Sequence, residues 1–248
     1  MDSIQVVAFD LDDTLLRLAP NFIPQYLHLL DESIREKVPS RASLAKVIMA
    51  SAERMMQKPR DAVGLSDFFY QDFEQRTGLR RDMMEPHLER FFQERFPRLE
   101  HLSRPVYGAM GLLATLKEIG YRMALLTSPL FPRVAIDIRL RWAGLEGFPF
   151  DWRTSFEVVH ATKPQPGYYL EAAEALGIDP CHWLMVGNDF REDIIPAQEA
   201  GMAVYWVNDH LREADRLMLP PDVKAGSLYR MMEALLDPRS ESRSGGGQ

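Results

Sequence analysis

The sequence has a single cysteine, no long apolar run and no excess of positive charge. Cys181 cannot form a disulfide within the chain, which favours a reducing compartment. No apolar run approaches the roughly 18 residues of a membrane-spanning helix, and the acidic Asp2 stands just before the first apolar run. We therefore expect a soluble, cytoplasmic protein without a membrane partner.

The charge balance argues against a nucleic-acid partner. The chain carries 29 Lys and Arg residues against 36 Asp and Glu residues, a formal net charge of -7. Binding a phosphate backbone needs a basic footprint, which this balance does not provide. A length of 248 residues allows one α/β domain with an insertion, or two modest domains, as a monomer or a homodimer.

Short β-rich apolar runs alternate with helical patterns in the second half of the chain. The runs cover residues 4–9, 121–127, 150–158, 183–186 and 202–207. The helical patterns cover residues 106–119, 131–142, 167–176 and 194–200, and each ends at or near a glycine. This alternation is typical of βαβ units, so we predict an α/β fold with a doubly wound parallel sheet.

A different pattern fills residues 17–103. Apolar side chains recur there at helical spacing in four groups, with no strand among them. We predict an all-α cap sub-domain over 17–103, inserted into an α/β core formed by 1–16 and 104–238. The segment 223–236 is expected to pack on the core as an amphipathic element. The tail 239–248, rich in Ser, Gly and Arg, is predicted to be disordered.

Two carboxylates, Asp10 and Asp12, directly follow the first apolar run. The carboxyl ends of parallel strands are where such sheets build their sites. A carboxylate there can act as a nucleophile or bind a hard cation such as Mg²⁺, and its neighbour can transfer a proton. A cluster of turn and capping acids is the alternative, and this segment alone does not decide between the two.

Further polar residues follow the later strands. Thr127 and Ser128 offer hydroxyl and backbone donors for an anion, and Lys163 can neutralise phosphate oxygens. Asp189 and Asp193 stand four residues apart after Gly187, so a helix beginning there would place both on one face. Taken singly, each has an ordinary interpretation: a turn, a surface lysine, a helix cap or a solvated acid.

In this order, with a helical insertion after the first motif, the chain closely resembles the haloacid dehalogenase superfamily. The resemblance covers residues 4–16 and about 106–207, and it includes Gln-Pro-Gly-Tyr-Tyr-Leu from Gln165. It implies that the strand ending at Asp10 is central, between the strands ending at Thr127 and Gly187. One departure is Asn188, because the commonest family pattern has an Asp directly after the glycine.

The resemblance also implies a role for each residue. Asp10 resembles the nucleophile, Asp12 the general acid and base, and Lys163 the residue that stabilises the transferring group. Thr127 and Ser128 look like the phosphate holders, together with Lys163. The implied cofactor is Mg²⁺, held by Asp10, Asp12, Asp189 and Asp193, with Asp189 in direct contact and Asp193 bound to the ion or its waters.

Asp12 separates the reaction classes within the superfamily. True dehalogenases lack an acid at this position because a halide leaves without a proton, whereas an alkoxide leaving group needs one. We therefore predict a Mg²⁺-dependent phosphatase that acts on a small phosphorylated metabolite through an aspartyl-phosphate intermediate. The alternatives are a sugar phosphomutase, a non-catalytic binding or scaffold member of the fold, and a haloacid dehalogenase.

Overall fold

The computed structural model describes residues 4–35, 43–212 and 218–236, and it contains a six-stranded parallel sheet. The strand order is β5-β4-β1-β6-β7-β8. The strands are β1 (Val6–Phe9), β4 (Arg122–Leu125), β5 (Trp152–Arg153), β6 (Trp183–Gly187), β7 (Ala203–Val207) and β8 (Val223–Gly226). The predicted parallel sheet is confirmed, with β1 between β4 and β6.

Helices cover both faces of the sheet. They are α5 (Ala109–Glu118), α6 (Arg133–Trp142), α7 (Pro166–Leu176), α8 (Ile195–Glu199) and α9 (Leu228–Leu236). Side chains alternate along β1, so Val7 and Phe9 pack with α5, α6 and α9, while Val6 and Ala8 pack with α7 and α8. Burial on both faces explains why β1 is apolar throughout.

Four helices follow the first strand, as the spacing of apolar residues predicts. They are α1 (Phe22–Arg35), α2 (Leu44–Gln57), α3 (Leu65–Thr77) and α4 (Arg81–Glu94). A two-stranded antiparallel ribbon, β2 (Leu16–Leu18) with β3 (Ser103–Pro105), joins this helical cap to the core. The ribbon lies where the predicted cap begins and ends, although the domain boundaries themselves stay a prediction.

The cap also contacts the core away from the ribbon. The amide nitrogen of Gln165 donates to the carbonyl oxygens of Met56 and Lys58, at 3.0 and 2.7 Å. The backbone N–H of Leu65 donates to the carbonyl of Val159 at 3.0 Å. Lys163 lies in this same stretch of the core, so the cap is docked against the segment that carries it.

Three parts of the sequence differ in detail from expectation. The run 150–158 forms only the short strand β5, and the segment 223–236 divides into β8, at the edge of the sheet, and the helix α9. The tail predicted to be disordered, 239–248, lies outside the described residues. Within the described part of the chain, none of the helices combines the length and apolar character needed to cross a bilayer.

Candidate active site

Asp10, Lys163 and Asp193 form a buried ionic cluster at the carboxyl end of β1. The Lys163 Nζ donates to Asp10 Oδ1 at 2.7 Å and to Asp193 Oδ1 at 2.5 Å. All three side chains are nearly inaccessible, and Lys163 is only 2% exposed. Three residues that are far apart in the sequence therefore meet at one point, as parallel strands dictate.

The electrostatics of this cluster are strongly perturbed. Burial raises the pKa of Asp10 to about 7; the Lys163 charge opposes this shift, whereas the carboxylates of Asp193 and Asp12 add to it. Burial alone would lower the pKa of Lys163, but the charges of Asp10 and Asp193 hold it well above its ordinary value. The cluster thus contains more negative than positive charge, which a divalent cation can balance.

A π-helical turn, Phe190–Ile194, brings Asp193 back against the end of β6. Asp193 Oδ2 accepts the backbone N–H of Asp189 at 3.0 Å, and a Cβ on Gly187 would lie 2.3 Å from that oxygen. Only glycine at position 187 leaves room for this carboxylate. Such π-turns occur mostly as single-turn bulges in α-helices, and they are frequent at functional sites.

Asp189 occupies a different environment from Asp193. Its side chain is exposed, and Oδ1 accepts the backbone N–H groups of Arg191 and Glu192, both at 2.8 Å. This arrangement caps the turn. Asn188 lies nearer to the first motif, because its Oδ1 accepts the Thr14 hydroxyl at 3.1 Å. The metal role inferred for Asp189 stays a prediction, but one of its two oxygens is engaged as a cap, so Asp193 and Asn188 are proposed as the direct metal ligands instead.

Asp12 is held by a residue that the sequence does not single out. Arg139, on α6, donates from Nη1 to Asp12 Oδ2 at 2.5 Å and is only 1% exposed. Its guanidinium lies 4.4 Å from the centre of the Phe131 ring. Among the described residues, neither the remaining Arg139 nitrogens, Nε and Nη2, nor Asp12 Oδ1 has a hydrogen-bond partner.

The predicted phosphate holders stand at the end of β4. Thr127 is buried, and its hydroxyl has no hydrogen-bond partner within the described chain. Its carbonyl oxygen accepts from the Tyr168 hydroxyl at 2.7 Å and from the Thr154 hydroxyl at 3.0 Å. Ser128 is half-buried beside it. The backbone of Thr127 is therefore fixed, while its hydroxyl is available to a ligand oxygen.

The turn after Asp12 has an unusual backbone. Asp13 adopts φ 56°, in the left-handed region, and its Oδ1 accepts the backbone N–H of Leu18 at 3.2 Å. Short polar side chains such as Asp are among the few that tolerate this conformation. The reversal leads the chain from the loop that carries Asp10 and Asp12 directly into the ribbon that joins the cap to the core.

The residues present suit Mg²⁺ in their chemistry. The carboxylates of Asp10 and Asp193 and the Oδ1 atom of Asn188 offer oxygen ligands, and Asp12 Oδ1 is buried without a hydrogen-bond partner in the described chain. Mg²⁺ prefers such oxygens and commonly uses only one or two protein carboxylates. No group of three or more His, Cys, Asp or Glu side chains converges as a metal site in residues 4–35, 43–212 and 218–236.

A family model and several known proteins match this chain. A family model for haloacid dehalogenase-like hydrolases matches residues 4–201. The chain is 28% identical to a phosphoglycolate phosphatase of Neisseria gonorrhoeae over 204 residues, 81% of this chain and 78% of that protein. It is 34% identical to a glyceraldehyde 3-phosphate phosphatase of Methanothermobacter thermautotrophicus over 115 residues, 46% of this chain but only 50% of that protein.

Solved structures share the fold. A phosphatase from Thermococcus onnurineus aligns with a TM-score of 0.57 at 24% identity, covering 94% of this chain and 98% of that one. A 2-haloacid dehalogenase from Pseudomonas syringae aligns with a TM-score of 0.62 at 23% identity, again covering 94% and 98%. Because phosphatases and dehalogenases match alike, the fold does not select the reaction.

Proposed function

Since the chain belongs to the haloacid dehalogenase-like hydrolase family, we propose that it is a Mg²⁺-dependent phosphatase acting on a small phosphate monoester. The observation that carries this proposal is the buried Lys163, which donates to both Asp10 and Asp193, with Asp12 close enough to influence the pKa of Asp10. The phosphatases among its relatives support the same reaction class.

In the proposed first half-reaction, an Asp10 carboxylate oxygen attacks phosphorus and the bond to the ester oxygen breaks. Asp12 gives a proton to the departing alkoxide, so the alcohol leaves neutral and Asp10 carries the phosphoryl group. Lys163 offsets the negative charge that develops on the transferring group. Thr127 and Ser128 donate their hydroxyls to the phosphoryl oxygens.

In the second half-reaction, Asp12 takes a proton from water, and the water oxygen attacks phosphorus. The bond to Asp10 breaks, which restores the carboxylate and releases inorganic phosphate. Asp10, Asp193 and the Asn188 side-chain oxygen would hold Mg²⁺, and the bound ion would supply positive charge that favours the ionised form of Asp10. In this proposal Arg139 is a positioning residue, because it contacts Asp12 and not the reacting group.

The covalent intermediate is tested by intact-mass analysis after rapid acid quench with an aryl phosphate. Asp12→Ala should still transfer phosphate to Asp10, because an activated leaving group needs little protonation, but it should hydrolyse the intermediate slowly. We expect one added phosphoryl group in Asp12→Ala, none in Asp10→Asn, and turnover of Asp10→Asn reduced by several orders of magnitude. Absence of the adduct from both variants, with an active wild type, would exclude covalent catalysis.

Release of inorganic phosphate distinguishes the proposed phosphatase from a phosphomutase of the same family. A mutase returns the phosphoryl group to a sugar phosphate, so the product is an isomer and little phosphate is liberated. We expect phosphate release in proportion to the alcohol formed, and dependence of both on added Mg²⁺. Isomerisation without release of phosphate would assign the chain to the mutases.

A further inference from the structure

A cavity of about 290 Å³ lies between the cap and the core. All four cap helices contribute to its wall, and two loops of the core, after β4 and after β5, complete it. We call this cavity the cap chamber and define it by Tyr26, Met55, Phe69, Leu88, Leu130 and Phe156. Its volume is at the lower end of the range for small-molecule sites.

A chain of packed side chains links the cap chamber to the proposed active site. Leu130 follows the phosphate-holding Ser128 by two positions in the same loop. The chamber residue Tyr26 has its ring centre 5.3 Å from that of Phe131, and Phe131 in turn packs against Arg139, the partner of Asp12. The chamber wall is therefore connected to Asp12, the proposed proton donor to the leaving group, through two intervening side chains.

The chemistry of the wall disfavours a second negative charge on the ligand. Apart from three glutamates, the wall is mainly aromatic and aliphatic, and none of the Lys, Arg or His residues that the structure describes lines it. Glu85 pairs with Arg81 at 2.9 Å, and Glu157 accepts the backbone N–H of Arg133 at 3.0 Å. Glu89 is exposed and has no ion pair with the described residues. An anionic group would be repelled here, whereas an apolar group would be desolvated favourably.

We propose that the cap chamber binds the leaving group of the phosphate ester, and that this group is an apolar alkyl or aryl alcohol without negative charge. The inference rests on the proposed phosphatase function and adds its substrate class. It sets this chain apart from the phosphoglycolate phosphatase relative, because phosphoglycolate carries a carboxylate next to the ester. In this class of substrate, the cap supplies binding energy through apolar contact alone.

A series of n-alkyl phosphates from ethyl to hexyl tests the proposal. Their leaving groups have closely similar acidity, so a change in kcat/KM along the series reports contact with the chamber and not intrinsic reactivity. We expect kcat/KM to rise about three- to fourfold for each added methylene group until the chamber is full. The non-hydrolysable n-alkyl phosphonates, measured by titration calorimetry, should show the same gain in affinity.

Two matched variants locate the effect. Ala52 lines the cap chamber and Ala50, on the same helix, does not. Ala52→Phe should reduce the ratio of hexyl to ethyl phosphate hydrolysis at least tenfold, whereas Ala50→Phe should keep the wild-type ratio.

A third variant tests the charge of the chamber wall. Glu89→Gln, a change at an exposed position, should raise the activity on phosphoglycolate relative to that on the alkyl phosphates. Circular dichroism and thermal unfolding confirm that each variant is folded.

The outcomes separate this inference from the function on which it rests. Hydrolysis of ethyl and hexyl phosphate with equal kcat/KM would overturn the chamber proposal and leave the phosphatase intact. Chain-length-dependent phosphonate binding without hydrolysis of any ester would support the chamber and reject the phosphatase. Equal effects of Ala52→Phe and Ala50→Phe on the hexyl-to-ethyl ratio would place the alkyl group elsewhere.

Discussion

Arg139 holds one carboxylate oxygen of Asp12 and so orients that side chain. It contributes a single hydrogen bond at 2.5 Å, and its other two guanidinium nitrogens are buried without partners in the described chain. A buried, planar cation of this kind is seldom replaceable by lysine. Sequence reasoning missed it because one arginine in an amphipathic helix looks like solvated surface, and only the fold shows that it points inward.

Replacing Arg139 by Lys should therefore slow reactions that need protonation of the leaving group. We expect a loss of about 100-fold with an alkyl phosphate, in line with the usual contribution of general acid catalysis, and a much smaller loss with p-nitrophenyl phosphate. The measurement is kcat across aryl and alkyl esters of graded leaving-group acidity. Arg141→Lys, exposed on the same helix, is the control, and equal losses on all esters would mean a merely structural role.

A second prediction concerns Gly187, where there is no room for a Cβ atom. The added methyl group of Gly187→Ala would meet the Asp193 carboxylate at 2.3 Å, which forces that side chain away from Lys163. We expect at least a tenfold loss of kcat/KM and a lower Tm. Gly111→Ala is the matched control, because Gly111 lies in α5 with nothing within 4 Å of its Cβ position, and the change should stabilise the protein slightly. Unchanged activity of Gly187→Ala would show that Asp193 is dispensable.

Among the secondary-structure elements, those with a strong apolar pattern could be predicted from the sequence and those without one could not. β1, β4 and β6 are buried, nearly continuous apolar runs, and their adjacency was implied by the family resemblance. The ribbon of β2 and β3 was not predicted, because each strand has three residues and they pair across an insertion of more than 80 residues. Pairing over such a separation leaves no local trace in the sequence.

The periodicity of the sequence also does not predict the contact of Gln165 with the cap. This contact can be tested by mutation. Gln165→Ala removes two hydrogen bonds to the carbonyls of Met56 and Lys58. Since each such bond contributes about 1 kcal/mol, the loss of both should make the amide hydrogens of residues 56–65 exchange roughly thirtyfold faster. Hydrogen-exchange mass spectrometry measures this, with Gln198→Ala, on α8, as the control. Equal exchange in both variants would mean that other contacts hold the cap.

For the whole molecule, the apolar patterns predicted the α/β class and the helical insertion, and the family resemblance implied the strand order that brings Asp10 and Lys163 together. The sequence did not predict which carboxylate oxygens already accept hydrogen bonds within the protein. The family resemblance favoured Asp189 over Asp193 as the direct metal ligand, yet Asp193 is buried against Lys163 while Asp189 caps a turn. That difference arises from the π-helical turn, whose register a sequence pattern does not specify.

Binding of Mg²⁺ to the folded protein should appear as a gain in overall stability. At a concentration 100 times its Kd, a ligand specific for the native state adds about 2.7 kcal/mol, which corresponds to several degrees in Tm for a chain of this size. We expect this Mg²⁺-dependent rise in wild type, a much smaller rise in Asp10→Asn and Asp193→Asn, and a full rise in Asp189→Ala. Asp189→Ala should lower the free energy of unfolding by only about 1 kcal/mol, because it removes the side chain that caps the turn. Thermal unfolding with Mg²⁺ or EDTA measures each case, and loss of the rise in Asp189→Ala alone would make Asp189 the direct ligand.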